Sequence, residues 1–96
     1  MNERNVVNRT HFQRSRGQGD DGAWQWYWKT RANNGRITAV GGEGYDELRG
    51  AINGFFSTHG IDPNKASLRS DFGKIQKFDD NHYVIVQYES ESLTTE

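Results

Sequence analysis

Residues 23–45 read AWQWYWKTRANNGRITAVGGEGY, and this stretch decides the fold. Trp24, Trp26 and Trp28 alternate, so in an extended strand all three project to one side. Asn34-Gly35 is a strong hairpin signal, because both residues of a type I′ turn need positive φ. With that pair as a two-residue loop, Ala32 faces Ile37, Thr30 faces Ala39 and Trp28 faces Gly41 on the tryptophan side. The other side carries Gln25, Tyr27, Lys29 and Arg31, answered by Arg36, Thr38 and Val40. One side is apolar and the other mostly polar, the pattern of a half-buried antiparallel hairpin that needs a helix to cover it.

The helix follows at once. Leu48, Ala51, Ile52, Phe55 and Phe56 recur with the spacing of an amphipathic stripe. Asp46 is placed to cap its start and Gly60 to end it, with Asp62-Pro63 just beyond. Gly50 and Gly54 each cost about 1 kcal/mol of helix propensity relative to alanine. Being four apart, they share one side and predict a close approach by a strand or a second helix.

The series from Trp28 through Asn34-Gly35, Ile37 and Ala39 to Gly42-Glu43-Gly44-Tyr45 resembles the signature of the YegP-like family, small bacterial and archaeal domains of unknown function. Ala51, Asn53 and Gly54 match the helix of that pattern, and the resemblance covers roughly residues 10–60. It implies a β-β-β-α unit, found as a tandem repeat or as a single copy that pairs with itself, and it implies no established activity. The family asks for a strand before the tryptophans, which residues 6–13 can supply with their β-branched and aromatic content. Residues 15–22, with three glycines, read as a mobile loop longer than the family's turn.

After Pro63 the resemblance ends. Residues 74–78 and 82–88 predict two strands joined by Asp79-Asp80-Asn81. The second is apolar on both faces, with Tyr83 and Ile85 on one and Val84, Val86 and Tyr88 on the other, so it needs cover on both sides or a partner chain. The expected architecture is therefore α+β: a three-stranded antiparallel sheet, one helix packed on its tryptophan face, and a C-terminal β-hairpin. The divisions are a frayed terminus over 1–5, the β-β-β-α unit over 6–63, an extension with the hairpin over 64–90, and a polar tail over 91–96.

A chain of 96 residues with 32% hydrophobic residues and 11 glycines has little core with which to offset chain entropy. Such domains lean on disulfides, metals or oligomerisation. Cysteine is absent, and three scattered histidines, His11, His59 and His82, lack metal-site spacing, which leaves oligomerisation. No cofactor is expected. With no signal peptide or membrane span in view, the sequence reads as a cytoplasmic protein.

Candidate chemistry is sparse. Gly41-Gly42-Glu43-Gly44 before a helix fits neither G-x-G-x-x-G nor a Walker pattern, and Glu43, Asp46 and Glu47 would repel an anion there. It reads as a structural joint. No nucleophile or acid–base pair stands out, so no catalytic residue is assigned. The leading expectation is a non-enzymatic homodimeric interaction module, with Trp24, Trp26, Tyr83, Val84, Ile85 and Val86 at its interface. The alternative is a weak single-stranded nucleic-acid-binding domain, in which Tyr27 offers a stacking surface and Lys29, Arg31 and Arg36 pair with phosphates. A net charge of −1 opposes it, although residues 1–40 hold seven Lys/Arg against three Asp/Glu.

Overall fold

The computed structural model describes residues 5–16, 22–41, 43–68 and 71–89. Its strands are β1 (Val6–Arg16), β2 (Trp24–Ala32), β3 (Ile37–Val40), β4 (Gln76–Asp79) and β5 (His82–Tyr88), and helix α1 spans Leu48–Thr58. A short 3-10 turn, Pro63–Leu68, leads from the helix towards β4. The class is α+β, but the sheet is larger than the expected three strands. All five strands join one antiparallel sheet in the order β3-β2-β1-β5-β4.

The C-terminal hairpin is thus no separate appendage. β1 would otherwise present a free edge of unpaired N–H and C=O groups, and β5 fills it, pairing Phe12 with Tyr83 and Thr10 with Ile85. β1 also runs to Arg16, opposite Trp24, so Ser15 and Arg16 belong to the strand and not to a loop. Residues 17–21 of that loop, residues 1–4 of the frayed terminus and the tail over 91–96 lie outside the described residues. Asn5 does not hang free: its carbonyl accepts from Glu89 N at 2.7 Å.

The hairpin turn differs by one residue from the expected type I′. Gly35 N donates to the Ala32 carbonyl at 2.8 Å, and Ala32 N donates to the Arg36 carbonyl at 2.9 Å. Only Gly35 has positive φ, at 85°, so Asn33, Asn34 and Gly35 form a three-residue loop around a bulge. The register slips between Thr30 and Arg31. Thr30 still faces Ala39 as expected, while Ile37 sits opposite Arg31 and not Ala32.

Residues directly opposite in an antiparallel ladder share a face. Phe12, Trp26, Trp28, Thr30 and Ile85 are therefore on the helix side, where Ala51, Phe55 and Phe56 meet them; all are buried. Phe55 is the hub. Its ring meets Phe12, Trp28 and Phe72 edge-on at centroid distances of 5.8, 5.3 and 6.0 Å. Thr10 and Thr30 are buried as a pair, their hydroxyls 2.7 Å apart. Trp24 escapes the core at 53% exposure, with the Arg14 guanidinium 5.9 Å from its ring.

The helix starts one residue later than the expected cap. Glu47 occupies the N-cap without a side-chain hydrogen bond, while Asp46 Oδ1 accepts from Gln25 Nε2 at 3.4 Å. At the other end Ile61 N reaches the Phe56 carbonyl and Gly60 N the Ser57 carbonyl, each at 2.9 Å, a Schellman closure. The side bearing Gly50 and Gly54 faces Tyr45 of the same chain. Tyr45 is tied to β2 by paired backbone bonds with Trp26, and a Cβ at Gly54 would overlap its phenol. Gly54→Ala gains about 1 kcal/mol of helix propensity but overpacks against that ring, at a cost of about 1–3 kcal/mol. The expected net result in urea melts is a lower midpoint, and a stabilised variant would show that Tyr45 does not lie on the helix.

Candidate functional site

The sheet's opposite face has no helix over it among the described residues. Alternation along β1 and β2 places Arg9, His11 and Gln13 there, beside Tyr27, Lys29 and Arg31. β5 adds His82, Val84 and Val86, and β4 adds Gln76 opposite Val84. Phe78, 62% exposed, lies 4.8 Å from the His82 ring, which extends the aromatic content to the outer strand. Strand geometry thus converts the sequence pattern polar-aromatic-polar into one continuous surface.

At its centre His11 Nδ1 and His82 Nε2 are 3.0 Å apart, joined by a hydrogen bond between residues 71 apart in sequence. One ring donates and the other accepts, so at least one must be neutral. Burial lowers the His11 pKa below its ordinary 6.5, helped by His82, Arg31, Lys29 and Arg9 around it. Among the described residues, every neighbour that shifts this group is basic. Asp79 stands at the β4 end, opposite His82, where its carboxylate accepts from Asn81 N at 2.7 Å. Among the described residues, Arg9 and Lys29 have no ion-pair partner, and Arg31 donates only to the Gly35 carbonyl, at 2.9 Å.

Three of the four residues expected to contact nucleic acid, Tyr27, Lys29 and Arg31, share this face. Arg36 does not join the row: the longer loop holds it ahead of β3, its N–H bound to Asn34 Oδ1 at 2.9 Å. The six residues expected at a dimer interface do not form one surface. Trp26 and Ile85 are buried beneath α1, Tyr83 packs edge-on to Trp26 at 5.8 Å, and Val84 and Val86 lie on the opposite face. Gly50 and Gly54, expected to admit a partner, already receive Tyr45. The sequence reads His11 and His82 as scattered and does not join them to Arg9 and Gln13, because only the β1–β5 register brings the four together.

Among the described residues no three His, Cys, Asp or Glu side chains converge as a metal site, and no helix is long and apolar enough to cross a membrane. The phosphate-loop comparison turns partly on Gly42, which lies outside the described residues. No family model, curated protein or solved structure matches the chain. Fold and site define an α+β domain with one face sealed by aromatics and a cationic cluster on the other, where no helix lies among the described residues.

His11 gives this face a pH signature. Its folded pKa is lowered, so the unfolded chain protonates first and stability is full only above the ordinary value of 6.5. As pH falls through that value, stability is lost. Melting temperature should drop between about pH 7.5 and about pH 5.5, and His11→Gln should lessen the drop. An identical drop in the variant would remove His11 as its source.

Proposed function

We propose that the open sheet face binds single-stranded nucleic acid and carries out no chemistry on it. One observation carries this reading: Arg9, Lys29 and Arg31 surround His11 beside Tyr27 on a sheet face that, among the described residues, has no helix over it. Cations without ion-pair partners attract phosphates and release counterions, and aromatic rings between them offer stacking surfaces to unpaired bases. The net charge of −1 does not oppose a local patch of this kind: Asp46 meets the face only at its Gln25 end, where it accepts from Gln25 Nε2 at 3.4 Å, and Asp79 only beside His82 on the outer strands.

Titration of labelled single-stranded DNA and RNA tests the proposal. Three phosphate contacts predict a log–log salt slope near −2, an affinity loss of about 20-fold between about 50 and about 200 mM salt. Lys29→Ala and Arg31→Ala should each lower affinity and flatten that slope by about 0.7. No binding at about 100 μM protein in low salt would overturn the reading.

A second reading, the non-enzymatic homodimer, is favoured by the β3 edge. Ile37–Val40 carries no charge and no proline, and Ile37 and Val40 are 47% and 60% exposed. The resemblance to YegP-like units, in which a single copy pairs with itself, points the same way. Pairing through the open face is disfavoured, because a two-fold contact centred there sets Lys29 and Arg31 against their own copies. Light scattering behind a sizing column should then give twice 11.0 kDa at about 100 μM, and a mass of 11.0 kDa would sink the dimer.

A further inference from the structure

Beside the cationic cluster lies a depression of about 270 Å³, lined by Gln13, Ser15, Tyr27, Trp28, Lys29, Val40 and Gly41. We infer that it holds one nucleobase of the bound strand, adenine by preference, with Tyr27 stacking on the ring, Gln13 reading its edge and Lys29 meeting the adjoining phosphate. This rests on the nucleic-acid reading above and adds a base-selective position to it.

Size is the first argument. The volume falls just under the roughly 300 Å³ at which pockets begin to hold drug-sized ligands, so it suits one planar heterocycle and not a larger metabolite. Position is the second. Gln13 and Tyr27 are direct cross-strand partners, which sets a carboxamide at the rim of an aromatic ring. The Tyr27 hydroxyl donates to Gln25 Oε1 at 3.4 Å, holding the ring in place.

Chemistry is the third. Gln13 is half-buried, and its amide has no hydrogen-bond partner among the described residues. A polar group partly withdrawn from water in this way gains from a ligand edge that offers a donor beside an acceptor. A glutamine amide meets that pattern in two bonds at adenine N6 and N7. Lys29, opposite Val40 on one side and His11 on the other, is both a wall of the depression and a member of the cationic cluster. A strand that seats its base here therefore has its next phosphates directed towards Arg31 and Arg9, about 13 Å being the span from Tyr27 to Arg31 along β2.

Anisotropy titrations with labelled dA, dC and dT oligomers at low salt separate base selection in the depression from phosphate binding by the cations. Wild-type protein should favour the dA oligomer about fivefold or more. Gln13→Ala and the isosteric Gln13→Glu, which loses the amide donor, should bring dA down to the level of dC. Tyr27→Ala should weaken dA binding at least about fivefold. Should Gln13→Ala fail to fold, Gln13→Glu still reads the amide's role. Salt-sensitive binding without base preference, or a dA preference that survives both Gln13 variants, would overturn the pocket and leave the nucleic-acid reading standing. No binding of any oligomer would overturn both.

Discussion

One eleven-residue helix must seal a five-stranded sheet, and the rest of the molecule follows from that mismatch. The helix is about 16 Å long, while five strands span about 19 Å between the outer axes. Aliphatic side chains in so small a layer would leave the interior thin. Aromatic rings fill it instead, each able to bury about 150–250 Å². Phe12, Trp26, Trp28, Phe55 and Phe56 form the cluster, with Phe72 packed against it from the segment leading to β4. With the helix committed to one side, the opposite face has no helical cover among the described residues, and Arg9, Gln13, Lys29 and Arg31 stand there beside Tyr27, Val84 and Val86.

The parts of this arrangement that depend on near neighbours were legible in the sequence. Tryptophan alternation puts the three indoles on one side of the strand, where Trp28 is buried as expected and Trp26 is buried too, under α1 and not at the expected dimer contact; the i, i+3, i+4 stripe predicts α1, and His82–Tyr88 has the bounds its pattern predicts. Distant pairings were not. Nothing near residue 82 says that its strand lies against β1, because that choice follows from the free edge of β1 and not from local propensity. The turn failed for a smaller reason. Asn34-Gly35 invites a two-residue loop, but Asn33 also enters it, its side-chain amide donating to the Val6 carbonyl. One extra residue there was enough to take Arg36 out of the row formed by Lys29 and Arg31.

The glycine pair teaches a related point. Two glycines on one side of a helix announce close approach but not what approaches. Here the visitor comes from three residues before the helix: Tyr45, tied by its backbone to Trp26. The spacing carried the packing half of the argument correctly, while the partner could be named only once Tyr45 was known to bridge to β2.

Core and candidate site are interleaved along the same two strands, and that has a mechanical consequence. Phe12 lies between His11 and Gln13, and Trp28 lies between Tyr27 and Lys29. Each open-face side chain thus leaves a backbone whose neighbours are locked into the aromatic layer. Strand-borne groups held this way keep their mutual positions better than groups on loops. The strand positions that bear Arg9, Lys29 and Arg31 are accordingly held as neighbours, and burial on the far side offsets what their like charges cost. A surface that concentrates like charge is one whose charge gains most from a counter-charge arriving in solution, which is what the proposed chain of phosphates would bring at regular intervals.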